Sequence, residues 1–167
     1  LKAAGWIRYD VNSHYIAHVG ARWFTIVTGR EAGAGFLLGL TIVGLGLATG
    51  LLACAWVQAR RLEDAGRTLS LVTLFVALPF VVRTSWPHYF VCLPLCQAAL
   101  LAALLPSARR SGVGGKLLLL LPASSMILSS IFLFNLFPNW GTYNTCGMLF
   151  FADLLLVPAC ALTALRR

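Results

Sequence analysis

The sequence predicts an all-α membrane protein, a polytopic helical bundle of about five transmembrane helices preceded by an interfacial amphipathic helix. Two observations support this prediction. Of the 167 residues, 59% are hydrophobic and only 11% are charged, whereas soluble domains carry about 25% charged residues. The apolar residues also form long blocks, and a block of about 18 or more apolar residues can cross a bilayer as a helix.

Residues 1–35 contain charges at intervals and no long apolar block, so no spanning helix is expected there. Within this segment Val19 and Trp23 share one helical face, while His14, His18 and Arg22 share the opposite face. The pattern predicts an extracytoplasmic amphipathic helix that lies in the outer membrane interface and keeps its polar face wet.

The rest of the chain, 36–167, is the predicted transmembrane helical domain. Its apolar stretches give five spans, at about 36–58, 68–82, 89–105, 117–137 and 146–165. The second and third are short for a hydrocarbon core of about 30 Å. A single re-entrant unit is the alternative, but Pro87 and its polar neighbours interrupt the apolar pattern and favour two short helices joined by a turn.

Basic residues concentrate in connections on one side of this bundle. They are Arg60, Arg61, Arg67, Arg109, Arg110, Lys116, Arg166 and Arg167. The positive-inside rule then places the C-terminus in the cytoplasm and the uncharged loop 138–145 outside, with a bacterial plasma membrane as the expected location. The net charge of +8 is read as this topology signal, and nucleic-acid binding is not expected because short loops divide the charge.

Residues able to bind metal occur in pairs rather than in sets of four. His14 and His18 are four residues apart, and so are Cys92 and Cys96. Because no further ligands follow at a recognised spacing, no metal site is predicted from these pairs. The cysteines are interpreted as small buried hydrophobic residues.

Glycines in the first span favour close helix packing. They form two small-xxx-small pairs, Gly35 with Gly39 and Gly46 with Gly50, a spacing that lets a neighbouring helix approach. Leu at position 1 favours a chain that belongs to a longer protein.

A polar cluster at 83–89 separates the second and third spans. Arg83 can bind phosphate through its fork of donors, and His88 can hold or move a proton near neutral pH. Ser85 and Tyr89 can donate hydrogen bonds to a phosphate or a sugar. The alternative is that Trp86 and Tyr89 are interfacial anchors and Arg83 extends to lipid headgroups.

Asp153 is predicted about two turns into the last span. An acid at that depth costs a few kcal/mol unless it is protonated or paired. Arg83 is the predicted partner by depth. A functional role and a purely structural buried acid both remain open at this point.

The run 83–95 resembles a segment of family-87 glycosyltransferases, which reads roughly Ser-x-x-Ser-Trp-x-His-(His or Tyr) before an apolar helix with a Leu-x-Pro step. Here it reads Arg-Thr-Ser-Trp-Pro-His-Tyr-Phe-Val-Cys-Leu-Pro-Leu. The stretch around Asn12, with Arg22 further on, loosely resembles an Asn-Gln-Ser…Arg region that the family carries earlier in the chain. The resemblance covers the whole chain in layout and about a dozen residues in motif.

This resemblance implies a membrane enzyme of the GT-C fold that moves a sugar, such as mannose, from a polyprenyl phosphate to an acceptor glycan or lipid at the outer face. The residues expected to bind substrate are Asn12, Arg22, Arg83, Ser85, Trp86, His88, Tyr89 and Asp153. Such enzymes place a catalytic Asp in their first outer loop, which neither Asp10 nor Glu31 matches. No catalytic residue is therefore assigned, and a requirement for a divalent metal is left open.

Two other classes compete with this interpretation. A transporter or lipid flippase would place Asp153 and Arg83 in a translocation path and would show an internal repeat, and no repeat is evident in this sequence. A non-enzymatic membrane scaffold would need no outer cluster of Arg, Trp and His.

Overall fold

The computed structural model describes residues 12–61, 64–83, 85, 87–110 and 112–165. All regular secondary structure in these residues is helical, which confirms the predicted all-α class. The helices are α1 (Ile16–Thr28), α2 (Ala34–Ala59), α3 (Asp64–Val81), α4 (Leu93–Arg110), α5 (Gly112–Leu128), α6 (Ile131–Phe134), α7 (Trp140–Thr145), α8 (Met148–Leu154) and α9 (Leu156–Leu165). A 3₁₀ helix, Pro87–Cys92, leads into α4.

Four helical segments are long and apolar enough to cross a membrane. They are α2, α3, the 3₁₀ helix continued by α4, and α8 continued by α9. These segments coincide with four of the five predicted spans, so the polytopic helical bundle is confirmed. The second and third predicted spans are separate helices joined by a turn, as Pro87 indicated, and each segment is long and apolar enough to cross a membrane.

The fourth predicted span, 117–137, is the one without a matching segment, because it is interrupted. Helix α5 ends at Leu128, and the Oγ atoms of Ser129 and Ser130 donate to carbonyls of its last turn at 3.0 and 2.7 Å. Ser130 also accepts the Leu133 N–H at 3.3 Å and so caps α6. Serine side chains that bond to nearby backbone favour helix ends over helix interiors, and the apolar residues around the pair hid this signal in the sequence.

Helix α9 lies at the centre of the bundle and contacts α2, α3, α4 and α5. Its residues Leu156, Ala159 and Cys160 are fully buried. Gln58 on α2 donates to the Thr163 hydroxyl of α9 at 2.9 Å and accepts the Thr73 hydroxyl of α3 at 2.8 Å. A buried amide is tolerated because it is hydrogen-bonded, and here it fixes three helices at one level.

Close contacts between the backbones of α2 and α3 occur at Gly44 and at Gly66, and not at the predicted glycine pairs. A Cβ atom on Gly44 would lie 2.9 Å from the Phe80 carbonyl oxygen and 2.7 Å from Ile16 Cγ2. A Cβ on Gly35, Gly39, Gly46 or Gly50 would have nothing within 4 Å among the described residues. The glycine pairs did not predict these contacts, because small-xxx-small spacing identifies a face of a helix that allows close packing but not the neighbouring helix that packs there.

The two ends of the bundle differ in charge. The basic end contains the α2–α3 and α4–α5 connections and the end of α9, where Arg61 donates to the carbonyls of Thr163 and Ala164. A cation there caps the helix and complements its dipole. The opposite end, which we call the network end, consists of residues 12–33, 82–92 and 129–147 and is joined by hydrogen bonds over long sequence distances.

Candidate functional site

Arg22 of α1 is at the centre of the network end. Its side chain is 2% exposed. It donates to the carbonyls of Ser13 at 2.8 Å, Thr145 at 3.1 Å and Asn144 at 3.4 Å. Because Asn144 and Thr145 end α7, the guanidinium meets the carbonyl-rich end of a helix, where a cation is favoured. The prediction of a wet polar face on α1 is wrong at Arg22, since backbone carbonyls replace water around it.

The residues before α1 connect it to the turn that follows α3. Ser13 Oγ donates to the Arg83 carbonyl at 2.9 Å, and the His14 N–H donates to the Ser85 carbonyl at 2.7 Å. The Nδ1 atom of His18 lies 2.8 Å from Ser13 Oγ. His14 is fully buried and His18 half-buried. The prediction that both lie on a wet face is therefore wrong, because they form an internal junction.

The turn between α3 and the 3₁₀ helix contains one buried candidate residue and leads to others that are exposed. Ser85 is fully buried, and its Oγ donates to the carbonyl three residues earlier at 2.7 Å, where α3 ends. Arg83, His88 and Tyr89 are exposed, and the rings of His88 and Tyr89 lie 4.6 Å apart. The Arg83 guanidinium makes no hydrogen bond or ion pair with any described residue. Trp86 lies outside the described residues.

Asn12 and Arg22, the two residues with the looser resemblance, meet the same short helix. The Asn144 amide of α7 donates to Asn12 Oδ1 at 3.2 Å, next to the carbonyls that hold Arg22. Asn144 is fully buried, and its Oδ1 has no hydrogen-bond partner within the described part of the chain. The structure therefore groups Asn12 and Arg22 at one junction, which is joined through Ser13 to the turn at Arg83.

Asp153 lies apart from this junction, within the span formed by α8 and α9. It is 3% exposed, and the predicted ion pair with Arg83 is not formed. The prediction failed because it matched the two residues by depth alone, while the Arg83 side chain turns outward. Pro158 explains the break between α8 and α9, since proline cannot donate to the carbonyl of Leu154 four residues earlier.

An aromatic group lies beside the junction. Trp140 stacks on Tyr143 with ring centroids 5.5 Å apart, and Phe134 packs edge-on to Tyr143 at 5.8 Å. These residues line a cleft of about 310 Å³. Burial raises the pKa of Tyr143 to about 12, and its hydroxyl donates to the Leu128 carbonyl at 2.8 Å. Aromatic faces of this kind can pack against a lipid chain or a sugar ring.

Two features of this end were missed by sequence reasoning. Trp23 donates from Nε1 to the Cys146 carbonyl at 3.0 Å. Burial raises the pKa of the Cys146 thiol, and the nearby charge of Arg22 partly offsets this increase. Ser13 bridges two segments 70 positions apart. Its only sequence signal was a short polar run next to an apolar helix.

Metal-binding side chains do not gather among the described residues of this end. Among the described residues there is no cluster of three His, Cys, Asp or Glu side chains that could hold a metal ion. No residue is therefore assigned to a divalent metal.

Comparison with known proteins adds no relative. No protein-family model matches the chain, and no curated protein or solved structure matches it either. The resemblance of 83–95 to family-87 glycosyltransferases therefore stays a prediction, and function is inferred from the chemistry of the network end.

Proposed function

We propose that this membrane chain is part of a glycosyltransferase that takes a sugar from a polyprenyl phosphate at the network end. The observation that supports the proposal is the exposed turn that carries Arg83, His88 and Tyr89. The guanidinium of Arg83 has no partner among the described residues. A planar fork of five donors suits a phosphate, and the turn joins two helical segments that are long and apolar enough to cross a membrane. We expect a turn between two such spans to lie near the lipid headgroups.

In the proposed reaction, an acceptor hydroxyl oxygen attacks the anomeric carbon of the donor sugar. The bond from that carbon to the phosphate oxygen breaks, and the polyprenyl phosphate leaves with an additional negative charge. Arg83 and His88 would stabilise this charge, and Tyr89 would donate a hydrogen bond to sugar or phosphate. The hydroxyl proton goes to a base that we do not assign to this chain.

The test compares variants of the protein in native membranes supplied with radiolabelled polyprenyl-phosphate mannose and an acceptor. We expect Arg83→Ala and His88→Ala each to lower sugar transfer about tenfold or more. A hydrogen bond to a charged group contributes about 1.5–3 kcal/mol, and about 1.4 kcal/mol corresponds to a factor of ten in rate. The matched control is Arg30→Ala, because Arg30 is also exposed at the network end but lies outside the turn.

Unchanged transfer in both turn variants would refute the proposal.

A transporter or lipid flippase is the second candidate, and one observation favours it: the span containing Asp153 is broken between α8 and α9, as helices of transporters often are near their substrate. Movement of the labelled lipid across the membrane without transfer of its sugar would identify that activity.

A further inference from the structure

Apart from the network end, the molecule contains a carboxyl group, that of Asp153, which is enclosed mainly by apolar side chains. Asp153 lines a cavity of about 10 Å³ together with Phe75 and Pro79 of α3, Tyr89 of the 3₁₀ helix and Cys96 of α4. Its Oδ2 atom has no hydrogen-bond partner among the described residues. A cavity of this size has room for about one water molecule.

No cation of the described residues compensates this carboxyl group. Within the part of the chain that the structure describes, Asp153 forms no ion pair. The ionisable groups close to it are the thiols of Cys96 on α4 and Cys160 on α9, with Cys92 and Tyr89 also on the cavity wall. An unpaired carboxylate in such surroundings is strongly disfavoured, whereas burying a neutral acid costs much less free energy.

One residue of the cavity wall has a carbonyl group that is left without its helical donor. Pro79 has no N–H, so the Phe75 carbonyl four residues earlier lacks its helical donor. Phe75 and Pro79 both line the cavity with Asp153. Tyr89 lies on the same wall and is partly exposed, next to the exposed His88. Tyr89 therefore lies both on the wall of the cavity and at the surface of the network end.

From this arrangement we infer that Asp153 is a proton-binding site inside the membrane, and that it exchanges its proton with water at the network end through the cavity beside Tyr89. The ligand is a proton carried by water, which fits the size of the cavity and the lack of a counter-ion. The inference does not rest on the proposed sugar transfer, and its tests need no sugar substrate.

The first test is modification by dicyclohexylcarbodiimide, a lipid-soluble reagent, in membranes containing the protein. A protonated carboxyl adds across one N=C bond, so that its proton goes to nitrogen, its oxygen bonds to the central carbon and nothing leaves. Rearrangement then gives a stable acylurea that peptide mass spectrometry locates. We expect the adduct on Asp153 and not on Asp64, whose side chain is fully exposed. The adduct should be lost in Asp153→Asn and retained in the control Asp64→Asn.

The second test is infrared spectroscopy of the purified protein. We expect a carbonyl-stretching band of a protonated carboxylic acid that is lost in Asp153→Asn and shifts when water is replaced by D₂O. If Asp153→Asn does not fold, the adduct on the wild-type peptide still identifies the site. Absence of both the adduct and the band would mean that Asp153 is an ionised carboxylate. A band that never shifts in D₂O would mean that the proton of Asp153 does not exchange with water. Either result overturns the inference.

Discussion

At the scale of single residues, Arg22 and Arg83 show how partners decide what an arginine does. Both lie at the network end, but Arg22 is enclosed by three backbone carbonyls, whereas Arg83 contributes only its carbonyl to the protein and turns its side chain outward. A buried guanidinium with its donors satisfied holds segments together. An exposed one is available to a ligand.

We predict that Arg22→Met lowers the free energy of unfolding by about 3 kcal/mol. A buried carbonyl that loses its donor costs about 1–3 kcal/mol, and Arg22 serves the carbonyls of Ser13 and Thr145 together. Unfolding in mixed detergent micelles measures the change. The matched control, Arg30→Met, removes an exposed arginine and should change stability little. Equal stability of the two variants would contradict the role given to Arg22.

The sequence allowed the exposed turn to be predicted but not the burial of Arg22. Arg83 and His88 lie between two apolar stretches, on either side of Pro87, so local pattern alone placed them in a turn between helices. Arg22 depends on the Thr145 carbonyl, 123 positions later in the chain. A backbone carbonyl has no signature in the sequence, and helical periodicity therefore assigned Arg22 to the wet face by default.

At the scale of the elements, apolar length predicted where helices run but not where they touch. Four of the five spans were found within a few residues, because crossing a bilayer requires a long apolar helix. The interruption after α5 was missed because it depends on Ser129 and Ser130 bonding to the turn before them. The contact at Gly44 was missed because periodicity does not reveal which side of α2 meets α3.

We expect Gly44→Ala to destabilise the protein by about 1–3 kcal/mol, the usual cost of overpacking a close contact. The added methyl group would lie 2.9 Å from the Phe80 carbonyl oxygen, and a backbone atom cannot move aside as a side chain tip can. Thermal unfolding in detergent measures the effect.

Gly46→Ala is the matched control on the same helix, two residues away, where a methyl group meets nothing within 4 Å among the described residues. Alanine favours a helix more than glycine does, so this variant should be as stable as the wild type or slightly more so. A larger loss at Gly46 than at Gly44 would show that α2 packs through its other face.

At the scale of the whole molecule, the two ends have different chemistry. The basic end carries Arg60, Arg61 and Arg67 close together in the sequence, and Arg109 and Arg110 at the end of α4. At the network end, polar groups instead form hydrogen bonds with one another, such as those from Ser13 to the Arg83 carbonyl and from Arg22 to the Thr145 carbonyl. From this asymmetry we propose an orientation with the basic end in the cytoplasm and the exposed turn outside, which is the side on which the proposed function needs its donor.

The orientation can be measured with single cysteines in a variant whose five native cysteines are replaced by serine or alanine. Pro138→Cys lies in the exposed connection between α6 and α7, and Ala65→Cys lies exposed in the first turn of α3. Neither change alters the charge on which orientation depends. We expect a membrane-impermeant maleimide added to intact cells to label Pro138→Cys at once and Ala65→Cys only after permeabilisation. The reverse order would place Arg83 and His88 in the cytoplasm, and would then require a donor phosphate on that side of the membrane.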